Sequence, residues 1–205
     1  MTFRIEKKYR VDQNKLIQLY DWLNLSKAKK IYNDRHIKSI YFDNNIFSSF
    51  HDSNDGTVPR KKIRLRNYSK SILDFKNLKL ESKINSIEGR YKTSKIINNH
   101  MNLLSMGLHD NLYGICYPKI MIIYKREYYK VHGYRVTIDR EIKYTAFDLN
   151  KKFQNTIEEN RIIMELKTNF NSNENDINDK FPFEIVRFSK YCFGIEKLYT
   201  NLTFG

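Results

Sequence analysis

The chain has only two cysteines, Cys116 and Cys192, and neither belongs to a C-x-x-C pair, so a disulfide scaffold is excluded. Both are expected to be reduced core residues of a cytoplasmic protein. Seven glycines and three prolines are too few for a linker-rich or disordered chain. No run approaches the ~18 apolar residues of a membrane-spanning helix. The stretch from Met1 to Arg10 alternates charge with apolarity instead of forming a signal segment. The reading is a chain without a transmembrane segment of its own. The five histidines show no H-x-x-x-H spacing, which argues against a zinc site. No G-x-x-x-x-G-K-S/T loop occurs either, so a nucleotide would have to be held by side chains.

What is abundant is aromatic, β-favouring and basic. Fifteen Tyr and 13 Phe suit pleated, half-buried surfaces, and 205 residues with 40% hydrophobic content fill one domain with a real core. The net charge of +14 calls for an anionic partner, although an A/T-rich coding sequence would supply part of the lysine as background. Position therefore decides what the charge means.

Period-two alternation predicts strands at Phe3–Val11, Lys38–Asp43, Lys62–Tyr68, Phe75–Ile84, Lys119–Val131, Tyr134–Ile142 and Arg161–Lys167. His132-Gly133 joins two of these as a hairpin. Asp12 is expected to cap a helix carrying Leu16, Leu19 and Leu23, and a short helical stretch is expected around Asn99–Leu108. Ser189 is expected to cap a last helix, with Tyr191, Ile195 and Leu198 as its buried stripe. The segments from Asn44 to about Pro59, with its Asp55-Gly56 turn, and from Asn171 to Lys180 read as loops.

Strand after strand carries a charged face of mixed sign, with Glu6/Lys8, Glu81/Lys83 and Glu165/Lys167 spaced two apart. A solvated outer face explains any one of them. For all together, a closed antiparallel barrel is the better expectation, with the charged face inward and helices packed outside. Charges held away from water must be paired with each other, a ligand or a metal. A linear chain of phosphates meets that need, with Arg as a planar fork and Lys as a point charge.

Glu6-Lys7-Lys8-Tyr9, Ser39-Ile40-Tyr41-Phe42-Asp43, Lys62-Ile63-Arg64-Leu65-Arg66-Asn67-Tyr68 and Leu80-Glu81-Ser82-Lys83 follow one another in order. Tyr124-Lys125-Arg126, Arg135-Val136-Thr137-Ile138-Asp139, Met164-Glu165-Leu166-Lys167 and Phe188-Ser189-Lys190-Tyr191 continue the series. In this order and spacing the chain resembles the polyphosphate polymerase domain of vacuolar transporter chaperone (VTC) proteins, within the triphosphate tunnel metalloenzyme (CYTH-like) superfamily. The resemblance covers nearly the whole chain and implies a single α+β tunnel domain over residues 1–205.

The resemblance further implies a metal-dependent phosphotransferase that moves the γ-phosphate of ATP onto inorganic polyphosphate. Lys8, Arg64, Arg66, Lys83, Lys92, Arg126, Arg135, Lys167 and Lys190 would hold the triphosphate. Lys190, Arg64, Arg66 and Glu165 would act in transfer, and Glu165 with Glu6 would hold Mn²⁺ or Mg²⁺. Two departures stand out: Arg4-Ile5-Glu6-Lys7-Lys8 replaces one acid of the superfamily's E-x-E-x-K, and the basic pair expected after Lys83 has only Arg90 and Lys92 as approximate counterparts. The implied partners are ATP, polyphosphate and a separate membrane protein, with no specific nucleic acid, at the cytoplasmic side of a membrane. Two rival readings remain, a triphosphate or polyphosphate hydrolase on the same scaffold and a non-catalytic polyanion-binding module.

Overall fold

The computed structural model describes residues 4–71, 74–148, 156–169 and 174–199. In chain order the elements are β1 (Arg4–Val11), α1 (Leu16–Leu25), β2 (Lys29–Asp43), α2 (Ser48–Asp55), β3 (Arg60–Asn67), β4 (Lys79–Ser86) and β5 (Gly89–Ile96). There follow α3 (His100–Met106), β6 (Leu108–Asp110), β7 (Gly114–Val131), β8 (Tyr134–Ala146), β9 (Thr156–Glu159), β10 (Ile162–Asn169), α4 (Glu174–Lys180), β11 (Glu184–Ile185) and α5 (Lys190–Leu198).

The strands pair in the order β11-β1-β10-β8-β7-β2-β3-β4-β5, with β6 on β7 and β9 on β8. The pairings of β1 with β10, β10 with β8, and β2, β3, β4 and β5 in succession are antiparallel. The fold class is therefore α+β, built mainly on antiparallel sheet. The expected closed barrel is corrected: the order ends at β11 and β5, and among the described residues no pairing joins those two. Alternation fixes which face of each strand is polar, but closure depends on pairing between terminal strands, which alternation does not encode.

The chain forms two compact units. One comprises Met1–His36, Tyr124–Ile142 and Glu159–Phe188, the other Ile37–Ile123, Lys143–Glu158 and Ser189–Gly205. The first unit has its own core of Tyr9, Leu19, Leu23, Val136, Ile138, Met164, Leu166, Ile177 and Phe181. Phe181 stacks on Tyr9 at 5.8 Å between centroids and meets Trp22 at 5.3 Å. The expected loop over 171–180 is corrected in part, because Glu174–Lys180 is helical and Ile177 is buried within this core. Residues 171–173, like Phe3, lie outside the described residues. Asp12 makes no side-chain cap and precedes a short 3-10 turn that leads into α1. The β7–β8 hairpin turns through His132 (φ 49°) and Gly133 (φ 84°), the paired positive angles a two-residue turn needs.

The second unit packs Ile40, Phe42, Ile63, Leu65, Leu78, Leu104, Cys116 and Met121. Both cysteines are buried and free of disulfide. Here the expected loop after Asn44 is corrected, because Ser48–Asp55 is a helix. Its sequence is polar and short, and its support comes from outside it. The fully buried Asp43 carboxylate accepts from Ser49 N and Phe50 N, both at 3.0 Å, satisfying first-turn N–H groups. Burial raises the Asp43 pKa despite these bonds and a further one from Tyr191.

Helix α5 begins as expected, with Ser189 Oγ accepting from Cys192 N at 3.3 Å. Tyr191, Cys192, Gly194 and Ile195 face inward, while Leu198 is only half-buried. A Cβ at Gly194 would lie 2.6 Å from Tyr144 Cδ1 and closer still to Ile120 Cδ1. Overpacking of this kind costs about 1–3 kcal/mol. Gly194→Ala is thus expected to lower the denaturant midpoint, and an unchanged midpoint would refute this close packing.

Candidate functional site

Within the second unit the candidate residues form one charged face. Alternation along β3 buries Ile63 and Leu65 and leaves Lys62, Arg64 and Arg66 half-buried on the other side. Register then sets their neighbours. Arg64 lies opposite Tyr41 on β2 and Glu81 on β4, Arg66 opposite Ser39, and Lys62 opposite Lys83, which in turn lies opposite Lys92 on β5. Three lysines thus stand in one row across three strands. Like charges placed directly opposite repel, so this row is stable only where an anion or water offsets it.

Glu81 is the hub. Its Oε2 accepts from Arg64 Nε at 2.9 Å and Nη2 at 2.7 Å, while its Oε1 accepts from Lys92 Nζ at 2.8 Å. Arg66 Nη1 lies 3.6 Å away and Arg66 Nε donates to Ser39 Oγ at 3.0 Å. Burial alone would raise the Glu81 pKa, but the Arg64 and Arg66 guanidiniums and Lys92 outweigh it and bring it to about 2. A depressed carboxylate stabilises the fold above its unfolded pKa, and that contribution is lost as pH falls through the folded one. Stability is therefore expected to drop between the ordinary 4.5 and about 2. An acid titration of unfolding free energy, flatter in Glu81→Gln than in wild type across that window, checks this.

Lys190 opens α5 and is half-buried. Beside it, Ser189 Oγ accepts from Lys62 Nζ at 2.9 Å, so the helix start and the lysine row are joined by one hydrogen bond. The N–H groups and dipole of a helix start favour an anion. Burial depresses the Lys62 pKa, with Lys83 and Arg60 adding to the effect.

Within the first unit the charges of mixed sign are paired as well. Register sets Lys8 opposite Glu165, Glu6 opposite Lys167, and Lys167 opposite Arg135. Lys167 Nζ lies between Glu6 Oε1 at 3.2 Å and Glu165 Oε1 at 3.1 Å. Burial works against the Lys167 charge, but the two carboxylates outweigh it and raise the pKa. Lys8 Nζ donates to the Phe188 carbonyl. Arg126 makes a bidentate pair with the fully buried Asp139, at 2.5 and 2.7 Å, and lies over the Tyr124 ring. Arg135 lies over Tyr128 at 5.8 Å.

Metal binding can be tested against these donors. Among the described residues no group of three or more His, Cys, Asp or Glu side chains is placed to hold an ion. Glu6 and Glu165 do converge on one cation, the Lys167 ammonium. Opposite Glu165, Thr137 Oγ1 is buried without a hydrogen-bond partner. Mg²⁺ and Mn²⁺ are commonly held by one or two carboxylates with phosphate oxygens completing the shell, so the donor chemistry fits.

The sequence placed Arg64, Arg66, Lys83, Lys92 and Lys190 as candidates, and all five fall in the second unit; Glu6, Lys8, Arg126, Arg135, Glu165 and Lys167 fall in the first. It assigned no role to Lys62, Tyr41, Glu81 or Asp139. Their importance is a matter of cross-strand register, which no single strand displays. Among the described residues no helix is long and apolar enough to cross a membrane.

With the geometry described, known proteins can be set beside it. The chain superposes on a proposed adenylate cyclase of Bacillus halodurans with a TM-score of 0.61 at 13% identity, covering 97% of this chain and 98% of that one. A second proposed adenylate cyclase, from Vibrio parahaemolyticus, gives 0.48 at 12% identity over 98% and 89%. A chain in the Schizosaccharomyces pombe Mediator head module gives 0.49 at 12% identity over 97% and 94%. At 13% identity the first of these likenesses shows a shared fold. The family model of the VTC domain matches residues 3–199, and the chain belongs to that family. No curated protein matches it.

Proposed function

We propose that this VTC domain binds ATP and inorganic polyphosphate and transfers the γ-phosphate of ATP to the end of the growing chain. The observation that carries the reading is the row of Lys62, Lys83 and Lys92 in register, tied through Ser189 to the helix that Lys190 opens. A phosphate chain is a ligand with charge repeated along a line, which suits cations repeated across neighbouring strands. Arg64 and Arg66, held in place by Glu81, would offer their remaining N–H groups to phosphate oxygens. Lys190 would neutralise charge at the transferred phosphoryl group.

In the first unit, Lys8, Arg126, Arg135 and Lys167 are proposed as further phosphate-binding residues. Glu165 and Glu6 are proposed to hold Mn²⁺ or Mg²⁺ once Lys167 swings aside. The bound ion would supply charge neutralisation at phosphate oxygens. In the transfer a terminal oxygen of the chain attacks the γ-phosphorus and the bond to the β-phosphate oxygen breaks. ADP leaves, and the polymer gains one phosphate. Such a reaction asks mainly for positioning and charge stabilisation, which Arg and Lys supply without a covalent nucleophile.

Incubation with ATP and Mn²⁺ is expected to give a ladder of polyphosphate on a gel. Free phosphate without polymer would select a hydrolase, and salt-sensitive polyanion binding without turnover would select a binding module.

A further inference from the structure

Tyr41 has no part in the transfer as described, yet it sits at the centre of the charged face in the second unit. Its ring is buried and stacks on Tyr191, with centroids 5.1 Å apart and planes 24° from parallel. Tyr191 is fixed in turn, its hydroxyl donating to Asp43 Oδ2 at 2.5 Å. The phenol oxygen of Tyr41 accepts from Arg64 Nη1 at 2.8 Å. Since Arg64 Nε and Nη2 both go to Glu81, the guanidinium is held from two sides, by a carboxylate and by a phenol.

We propose that Tyr41 is a positioning residue, its phenol setting the reach of Arg64 towards bound phosphate and exchanging its proton according to whether phosphate occupies that guanidinium. The inference rests on the phosphate-binding reading of this face. Burial opposes ionisation of the phenol, but the charges of Arg64, Arg66 and Lys62 outweigh it and bring the pKa down to about 8. The groups bearing on the phenol are those three from β3, Glu81 of β4 through Arg64, and Tyr191 of α5, with Asp43 behind Tyr191. A phosphate chain on Arg64 and its neighbours cancels part of their field and returns the phenol towards its ordinary range. Binding then takes up a proton. Affinity for phosphate is unaffected below the free ionisation and falls by up to about tenfold per pH unit above it, until the bound pKa is reached. Lys62 also loses charge as pH rises and is coupled to Tyr41, so the tyrosinate band, to which Lys62 contributes nothing, is what isolates the phenol.

The test follows the near-ultraviolet tyrosinate band during pH titration of wild type and Tyr41→Phe, with and without inorganic triphosphate. Triphosphate binding is measured by calorimetry below and above the phenol ionisation. One tyrosine should ionise ahead of the rest in wild type, be missing in Tyr41→Phe, and ionise later when triphosphate is bound. Affinity should fall more steeply with pH in wild type than in the variant. An early ionisation that survives in Tyr41→Phe overturns the inference alone. So does one that stays put in wild type while calorimetry shows triphosphate bound, an outcome that needs no variant to fold. A wild type that binds no triphosphate overturns the functional reading and this coupling together.

Discussion

Lys190→Ala is expected to reduce ATP-dependent polyphosphate formation by about 10²- to 10³-fold, the usual scale for deleting one preorganised group that stabilises transition-state charge. Lys190 is the first residue of α5 and is half-buried, at the start of a helix whose own N–H groups already favour an anion. The cap itself comes from Ser189, and the inward face of the helix from Tyr191, Cys192, Gly194 and Ile195. Those residues remain in the variant, so its melting temperature should stay close to that of wild type while transfer fails. Glu165→Gln should lose activity on a similar scale, with a loss of Mn²⁺ dependence as its separate mark. A Lys190→Ala protein within threefold of wild-type activity would remove Lys190 from the transfer step.

Glu81→Gln is expected to cost about 2–4 kcal/mol of stability, because removing one partner of a buried ionic group leaves the others uncompensated. Arg64, Arg66 and Lys92 all lie within 3.6 Å of this carboxylate. With Glu81 neutral, the lysine row and both arginines lose the carboxylate that Arg64, Arg66 and Lys92 share. An added anion should therefore restore more in the variant than in wild type. Ligand that binds only the folded state stabilises it by mass action, so denaturant unfolding with and without inorganic triphosphate reads the effect directly. A Glu81→Gln midpoint equal to wild type, or one indifferent to triphosphate, would contradict the role of this hub.

The parts of the fold legible in the sequence were those with local cause. β1 and β3 alternate apolar with charged residues because one face is buried, β8 and β10 alternate in sequence although their central residues are buried on both faces, and Ser189 is a hydroxyl at a helix start, so these elements fell close to their expected places. Helix α2 was hidden because its support, the Asp43 carboxylate, lies on a strand before it. β5 was hidden because nearly every residue in it is exposed and no alternation marks it. β2 runs back to Lys29, nine residues before the predicted start, through a stretch too exposed to alternate.

The candidate site divides in the same way. A basic face on β3 is visible from Lys62, Arg64 and Arg66 alone. That Lys62 faces Lys83, that Glu81 gathers two arginines, and that Tyr41 holds Arg64 are consequences of register between strands. Closure of the sheet was inferred from mixed charge, yet the lysine row needs only β3, β4 and β5 side by side.

The most direct test follows the terminal phosphate itself. ATP carrying an isotopic label on the γ-phosphorus, given to the wild-type protein with Mn²⁺ and a short polyphosphate primer, should deliver the label into polymer with release of an equal amount of ADP. Label that stays in ATP, or appears only as free phosphate, would contradict transfer to the chain.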